Sequence, residues 1–337
     1  MIKTLIVDDS SLVRNIIRDF LERDGSFEII GEAENGLEGV SKAQLLAPDL
    51  ITMDIEMPLM NGLDAIDEIK KVLSTAIVVI SSHDTAKMAY DATVRGAFEF
   101  YSKDMFLSRM TDQQRERTIG TLKQISGIKK RIPVQKKDVY KERIEMRQIN
   151  AVVIAASTGG PNALNKIFSA IPKEFPVPII LVQHNISGFD LSFVQWLNGC
   201  TPLQVILARE NTIPVKGNIY VAPTDRHLVI GEVGLAFNDS GPINNQKPAA
   251  DMLFKSAAEL YGKSLISVVL TGMGSDGAEG TRYVKNAGGI TLSQDEASSM
   301  IYGMPQSAID TGCVDMVLSV EMVAPRLIFL ANENGKI

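Results

Sequence analysis

Ser157 follows the apolar run AVVIAA and precedes Thr158, Gly159, Gly160 and Pro161, so it stands where a buried strand turns into a helix. Glycines permit a tight turn there, proline suits the first helical position, and the free amides of a helix start can donate to an oxyanion. The chemistry this suggests is nucleophilic attack by a serine hydroxyl, a weak nucleophile that needs a nearby base. The chain has three histidines, His83, His184 and His227. His184 ends the apolar run VPIILVQ, and parallel-sheet geometry carries it to the same edge as Ser157. His83 lies far upstream, and His227 opens an alternating stretch that predicts a hairpin residue with a core or capping role. An imidazole that accepts a proton needs a carboxylate on its other nitrogen. Asp276 suits that role because it follows the strand SLISVVL in the glycine-rich loop TGMGSDGAEG. The backbone of that loop at Met273, with Thr158 beside the serine, is expected to line an oxyanion hole. Ser157 and Asp276 could each instead cap a helix, and Asp251 and Asp295 are rival carboxylates that follow no strand as directly. Ala155 occupies the first glycine position of a G-x-S-x-G elbow, which disfavours the α/β-hydrolase fold.

A second constellation lies upstream. Short apolar runs, TLIVDD, FEIIGEA, DLITMD, AIVVIS and FEFYS, alternate with segments of helical spacing, which predicts five βα units and a parallel sheet. Ligands bind at the carboxyl ends of such strands, so Asp8, Asp9, Asp54, Ser81 and Lys103 should surround one crevice. Clustered carboxylates repel unless a hard cation draws them together, and an all-oxygen site suits Mg²⁺. Asp8, Asp9 and Asp54 are therefore expected to hold the metal, with Asp54 also the nucleophile toward a phosphoryl group. Lys103 supplies a second positive charge, Ser81 a hydroxyl for a phosphoryl oxygen, and Phe100 a ring able to repack when the loop shifts.

The elements that must position these groups fit two ordinary domains in 337 residues, with 45% apolar residues and a formal charge of −6 that disfavours nucleic acid. No window approaches the ~18 apolar residues of a membrane span, and the N-terminus lacks signal-peptide regions, so a cytoplasmic protein without membrane insertion is expected. Cys200 and Cys313 stand outside metal-ligand spacing and are expected to pack as small apolar groups. Residues 126–149, rich in Lys and Arg and poor in apolar groups, predict a solvated basic linker between domains at 1–125 and 150–337. That segment lacks interleaved aromatics, and no helix-turn-helix pattern follows it.

IVDDS, ITMDIEMPLMNG, VVISS and SKD, in that order, make residues 1–125 resemble a response-regulator receiver domain; Asp104 departs from the proline usual after the lysine. ASTGGP, VQH, KPAADMLFKSAA, LTGMGSDGAEG and QDEASSMIYGMP, behind that receiver, resemble the chemotaxis-specific protein-glutamate methylesterase family over nearly the whole chain. The resemblance implies a flavodoxin-like receiver and a mostly parallel, doubly wound Rossmann-like α/β hydrolase with a β-hairpin. It implies Ser157 as nucleophile, His184 as general base and Asp276 as orienting carboxylate. It also implies glutamate γ-methyl esters of methyl-accepting chemoreceptors as substrate, methanol as product, and glutamine deamidation as a possible second activity. Phosphorylation by the chemotaxis histidine kinase would require Mg²⁺, while the hydrolase would need no cofactor. Two departures are Asn185-Ile186-Ser187-Gly188 after the histidine and Thr224 in place of a common glycine. The alternative readings are a noncatalytic receptor-binding response regulator and an esterase of small substrates.

Overall fold

The computed structural model describes residues 1–82, 86–108, 110–128, 139–140, 147–185 and 187–332. Two compact units divide the chain, Met1–Ile132 and Pro133–Ile337. His83 and Ile186 lie outside the described residues, as does most of the expected linker.

In the first unit the elements alternate: β1 (Ile2–Val7), α1 (Ser11–Glu22), β2 (Phe27–Ala33), α2 (Gly36–Leu46), β3 (Leu50–Met53), α3 (Gly62–Val72), β4 (Ala76–Ser81), α4 (Ala86–Arg95), β5 (Glu99–Ser102), α5 (Lys103–Leu107) and α6 (Asp112–Ser126). The sheet runs β2-β1-β3-β4-β5 with every ladder parallel. Every residue of β3 and β4 is buried, which is what an unbroken apolar run gives when helices cover both faces of a parallel sheet. Local signals agree with this frame. Ser10, Asn35 and Asn61 accept the amides of Val13, Glu38 and Asp64 at the starts of α1, α2 and α3, and α1 buries Val13, Ile17, Phe20 and Leu21 at helical spacing. Strand order reverses between β1 and β3, so the crevice for a ligand opens between Asp8–Asp9 and Asp54.

The second unit contains β6 (Val139–Tyr140), β7 (Ala151–Ala156), α7 (Gly160–Ser169), β8 (Ile179–Gln183), α8 (Asp190–Asn198), β9 (Gln204–Leu207), β10 (Asn218–Val221), β11 (His227–Gly231), β12 (Gly234–Asn238), α9 (Ala250–Tyr261), β13 (Leu265–Val269), α10 (Ala278–Asn286), β14 (Ile290–Gln294), α11 (Met304–Asp310), β15 (Met316–Leu318) and α12 (Val320–Asn332). Its sheet runs β6-β15-β14-β13-β7-β8-β10-β9, parallel throughout except where β6 joins β15 antiparallel at one edge. The expected hairpin is present as β11–β12, a separate antiparallel ribbon. Residues 139–140, inside the segment expected to be solvated, instead form the edge strand β6, while Ser126 belongs to α6. From β7 the chain builds outward through β8, then crosses to β13 on the other side, so the order reverses at β7. Ser157, one residue past β7, therefore sits at the switch point where doubly wound sheets bind ligands. The core beneath it is apolar, with β7, β8 and β13 packed on Leu253, Phe254 and Ala257 of α9. No described helix is long and apolar enough to cross a membrane.

Candidate active site

Three neighbouring strands deliver the three residues. Ser157 follows β7, and its N–H donates to the carbonyl of Thr271 beyond β13 at 3.0 Å. His184 follows β8, and its N–H donates to the carbonyl of Ala156, also at 3.0 Å. Past Ser157 the chain turns sharply through Gly159, whose φ of 78° lies in the left-handed region, and enters α7 with Pro161 in its first turn. His184 Nε2 lies 2.8 Å from Asp276 Oδ2, with the two side chains only 3% and 1% exposed. The Nδ1 of His184 is buried and has no partner among the described residues.

That division of the ring decides the proton bookkeeping. Asp276 is acceptor-only when ionised, and it accepts the amides of Ala250 (2.7 Å), Asp251 (3.0 Å) and Gly277 (3.1 Å) as well. Burial pushes its carboxyl up, but the His184 bond and charge, with the backbone amides, outweigh this and hold it below the usual carboxylate range. An ionised Asp276 requires the proton on Nε2, which leaves the lone pair of neutral His184 on Nδ1. The free nitrogen is thus the basic one. Among the described residues no hydrogen bond joins Ser157 Oγ to His184, a contact that free hydrolases often tighten only on binding substrate.

The rivals are otherwise engaged. Asp251 Oδ1 accepts the amides of Gly277 and Gly280, and burial followed by the charge of Asp276 pushes its carboxyl up to about 6. Asp295 accepts the N–H and hydroxyl of Ser298. His227 is fully buried at the start of β11, with Nδ1 accepting the Ala249 amide and Nε2 3.0 Å from the Gly241 carbonyl, so both ring nitrogens are spent on structure. Asp276 does not serve the helix that follows it alone; its two other amide partners open α9.

In the first unit Lys103 Nζ lies 2.9 Å from Asp8 Oδ2 and 2.7 Å from Asp54 Oδ2, both carboxylates being buried. Oxygens of Asp8, Asp9 and Asp54 come within 4.8 Å of one another. Burial, then the charge of Asp8, push Asp54 up to about 6 against the pull of Lys103, and burial likewise raises Asp8. Three hard oxygen donors, two of them poorly compensated by one lysine, fit Mg²⁺. Ser81 is buried at the end of β4, and Phe100 on β5 packs edge-on to Tyr90 with ring centroids 4.8 Å apart. At Asp104 the N–H donates to Ser102 Oγ, a bond that the usual proline would forbid.

Comparison with known proteins bears on both sites. The CheB methylesterase family model matches residues 152–327, and the response regulator receiver domain model matches residues 4–114. Protein-glutamate methylesterase/protein-glutamine glutaminase of Clostridium acetobutylicum is 38% identical, the match covering 97% of each chain. The protein of the same name from Pyrococcus horikoshii is 37% identical over 96% of this chain and 91% of its own. The crystal structure of the Thermotoga maritima CheB methylesterase catalytic domain, 38% identical, covers 55% of this chain and 100% of its own with a TM-score of 0.52. The chain belongs to the CheB methylesterase family.

A residue that sequence reasoning missed stands between the serine and the histidine of this CheB-type chain. Gln183 Nε2 donates to the carbonyls of both Ser157 and His184, each at 3.1 Å, so one buried amide ties the two strand ends together. Its signal was a lone polar residue ending a wholly buried strand. Gln183→Leu removes the donor to the His184 carbonyl, costing about 1–3 kcal/mol if that group is left buried, and leaves the Ser157 carbonyl with the Gly160 amide alone. Turnover is expected to fall about tenfold, the equivalent of ~1.4 kcal/mol at the transition state, with a lowered Tm; methanol release and thermal unfolding together check this. Thr271 plays a parallel part across β13, its hydroxyl donating to the Thr158 carbonyl at 3.0 Å and accepting the Ile301 amide at 2.9 Å. The departing Thr224 is fastened by Asp190, which accepts both its N–H and its hydroxyl, and Ser187 donates to Asp225.

Proposed function

We propose that residues 150–337 form a serine hydrolase that removes γ-methyl esters from glutamates of methyl-accepting chemoreceptors, governed through a receiver at 1–125 and a basic linker at 126–149. The observation that carries it is the buried His184–Asp276 pair at 2.8 Å, with Nδ1 left free one strand from Ser157. Ser157 Oγ attacks the ester carbonyl carbon while its proton passes to His184 Nδ1, and Asp276 stabilises the imidazolium through Nε2. The amides of Thr158 and Met273 receive the oxyanion. Collapse breaks the bond to the methoxy group, which leaves as methanol with the proton from Nδ1. Water, deprotonated by the same nitrogen, then cleaves the acyl-enzyme to give free glutamate and regenerated Ser157. A receptor glutamine follows the same path with ammonia as the leaving group. The hydrolase reaction uses no cofactor.

Asp54 accepts the phosphoryl group from the chemotaxis histidine kinase. Asp8, Asp9 and Asp54 would hold Mg²⁺, which when bound neutralises charge on that group. Lys103 supplies its second cation, while Ser81 and Phe100 repack in response. The work takes place in the cytoplasm, on the cytoplasmic helices of the receptors, without membrane insertion.

Incubation with a fluorophosphonate, followed by peptide mass spectrometry, is expected to place the label on Ser157; labelling elsewhere, or none on active protein, would contradict the reading. Asp54→Ala is expected to keep basal hydrolysis and lose all stimulation by a small phosphodonor with Mg²⁺. Undiminished stimulation would show that another residue is the acceptor.

A further inference from the structure

Helices normally take their N-terminal caps from the residue that precedes them. Neither α9 nor α10 does: the preceding residues are Ala249 and Gly277, and no side chain at either position caps the helix. The caps come from across the gap. Asp276, just before α10, accepts the first two amides of α9, at Ala250 (2.7 Å) and Asp251 (3.0 Å). Asp251, in the first turn of α9 and only 8% exposed, accepts the amides of Gly277 (2.9 Å) and Gly280 (2.7 Å) at the start of α10. Its second oxygen accepts Asn244 Nδ2 at 3.0 Å.

The exchange needs the helices to approach closely. A Cβ on Gly280 would lie 2.6 Å from the Cβ of Phe254, so only glycine lets α10 come near enough for Asp251 to reach its amides. Two buried carboxylates thus sit side by side, each held by the positive end of the other's helix. Breaking one cap loosens the turn that carries the other acid. Asp276 Oδ2 also holds His184 Nε2, so slack in that turn is slack in the imidazole.

We infer that Asp251 is a positioning residue for ester hydrolysis, fixing Asp276 against His184 by capping the helix that Asp276 precedes. The inference rests on the reading of Ser157, His184 and Asp276 as the hydrolytic triad. Among the described residues Asp251 makes no hydrogen bond to His184; it acts through the first turn of α10.

The test uses the full chain and a helical peptide bearing a glutamate γ-methyl ester, with methanol release as one readout. The other is the downfield imidazole N–H proton resonance of the His184–Asp276 bond, identified by its loss in Asp276→Asn. Asp251→Ala is expected to lower kcat about tenfold, leave KM within about twofold, and lose the downfield resonance. Asp251→Asn keeps an oxygen for both glycine amides and turns its NH₂ toward a flipped Asn244, so it is expected to retain the resonance and stay within about threefold of wild type. Should Asp251→Ala yield no folded protein, Asp251→Ser, too short to reach both glycine amides, is read on the same scale. A folded Asp251→Ala or Asp251→Ser protein with the resonance intact and kcat within threefold of wild type overturns the inference and leaves the triad standing. Wild-type methanol release by Ser157→Ala would instead overturn the triad itself.

Discussion

Asp276→Asn is expected to lower kcat for ester hydrolysis about 10⁴-fold, the scale seen when a hydrolase triad loses its orienting carboxylate. Its surroundings explain why an isosteric change should do so much. Oδ2 accepts from His184 Nε2 and Ala250 N–H, while Oδ1 accepts from Asp251 N–H and Gly277 N–H, so every neighbour is a donor. An asparagine must aim its own donor at one of these pairs. If the NH₂ faces Ala250 and His184, the ring is forced to carry its proton on Nδ1, and the base is lost. If it faces Asp251 and Gly277, the buried Asp251 amide goes unpaired at about 1–3 kcal/mol, while the Gly277 amide keeps Asp251 Oδ1. Either way KM should move little, because Asp276 is buried and reaches the reaction only through His184. Kinetics of methanol release with a folding control by circular dichroism separate the two costs, and an Asn variant with near-normal kcat would remove Asp276 from the mechanism.

Ser157→Ala is expected to cost still more, on the order of 10⁶-fold in kcat, since loss of the nucleophile removes the acyl-enzyme route altogether. The fold should survive. Ser157 is held by its backbone, through the N–H to Thr271 and the carbonyl that receives Gln183 Nε2, and neither bond uses the hydroxyl. An unchanged Tm with abolished turnover is therefore the expected pair of results. What activity remains reflects binding and the oxyanion donors alone.

Much of this was legible in the sequence because parallel sheets write plainly. AVVIAA, VPIILVQ and SLISVVL read as buried strands, and they form β7, β8 and β13 side by side, so the residues after them meet at one edge. The five runs of the receiver likewise became β1 to β5 in the order that gathers Asp8, Asp54 and Lys103. What stayed hidden was pairing between loops. Asp251 and Asp276 both read as acids near helix starts, and only the approach of α9 to α10 at Gly280 shows that each caps the other's helix. Local pattern carries no record of that distance. Gln183 was equally opaque, since its worth lies in two carbonyls 26 and one residue away. A basic composition around residues 126–149 concealed the short edge strand β6, because two residues of ladder leave no periodicity to read.

The most direct measurement is methanol release from methylated chemoreceptor fragments by wild-type and Ser157→Ala protein, each with and without a small phosphodonor and Mg²⁺. Release that depends on Ser157 and rises with the phosphodonor is the predicted result. No release by well-folded wild-type protein, or equal release by Ser157→Ala, would contradict the account.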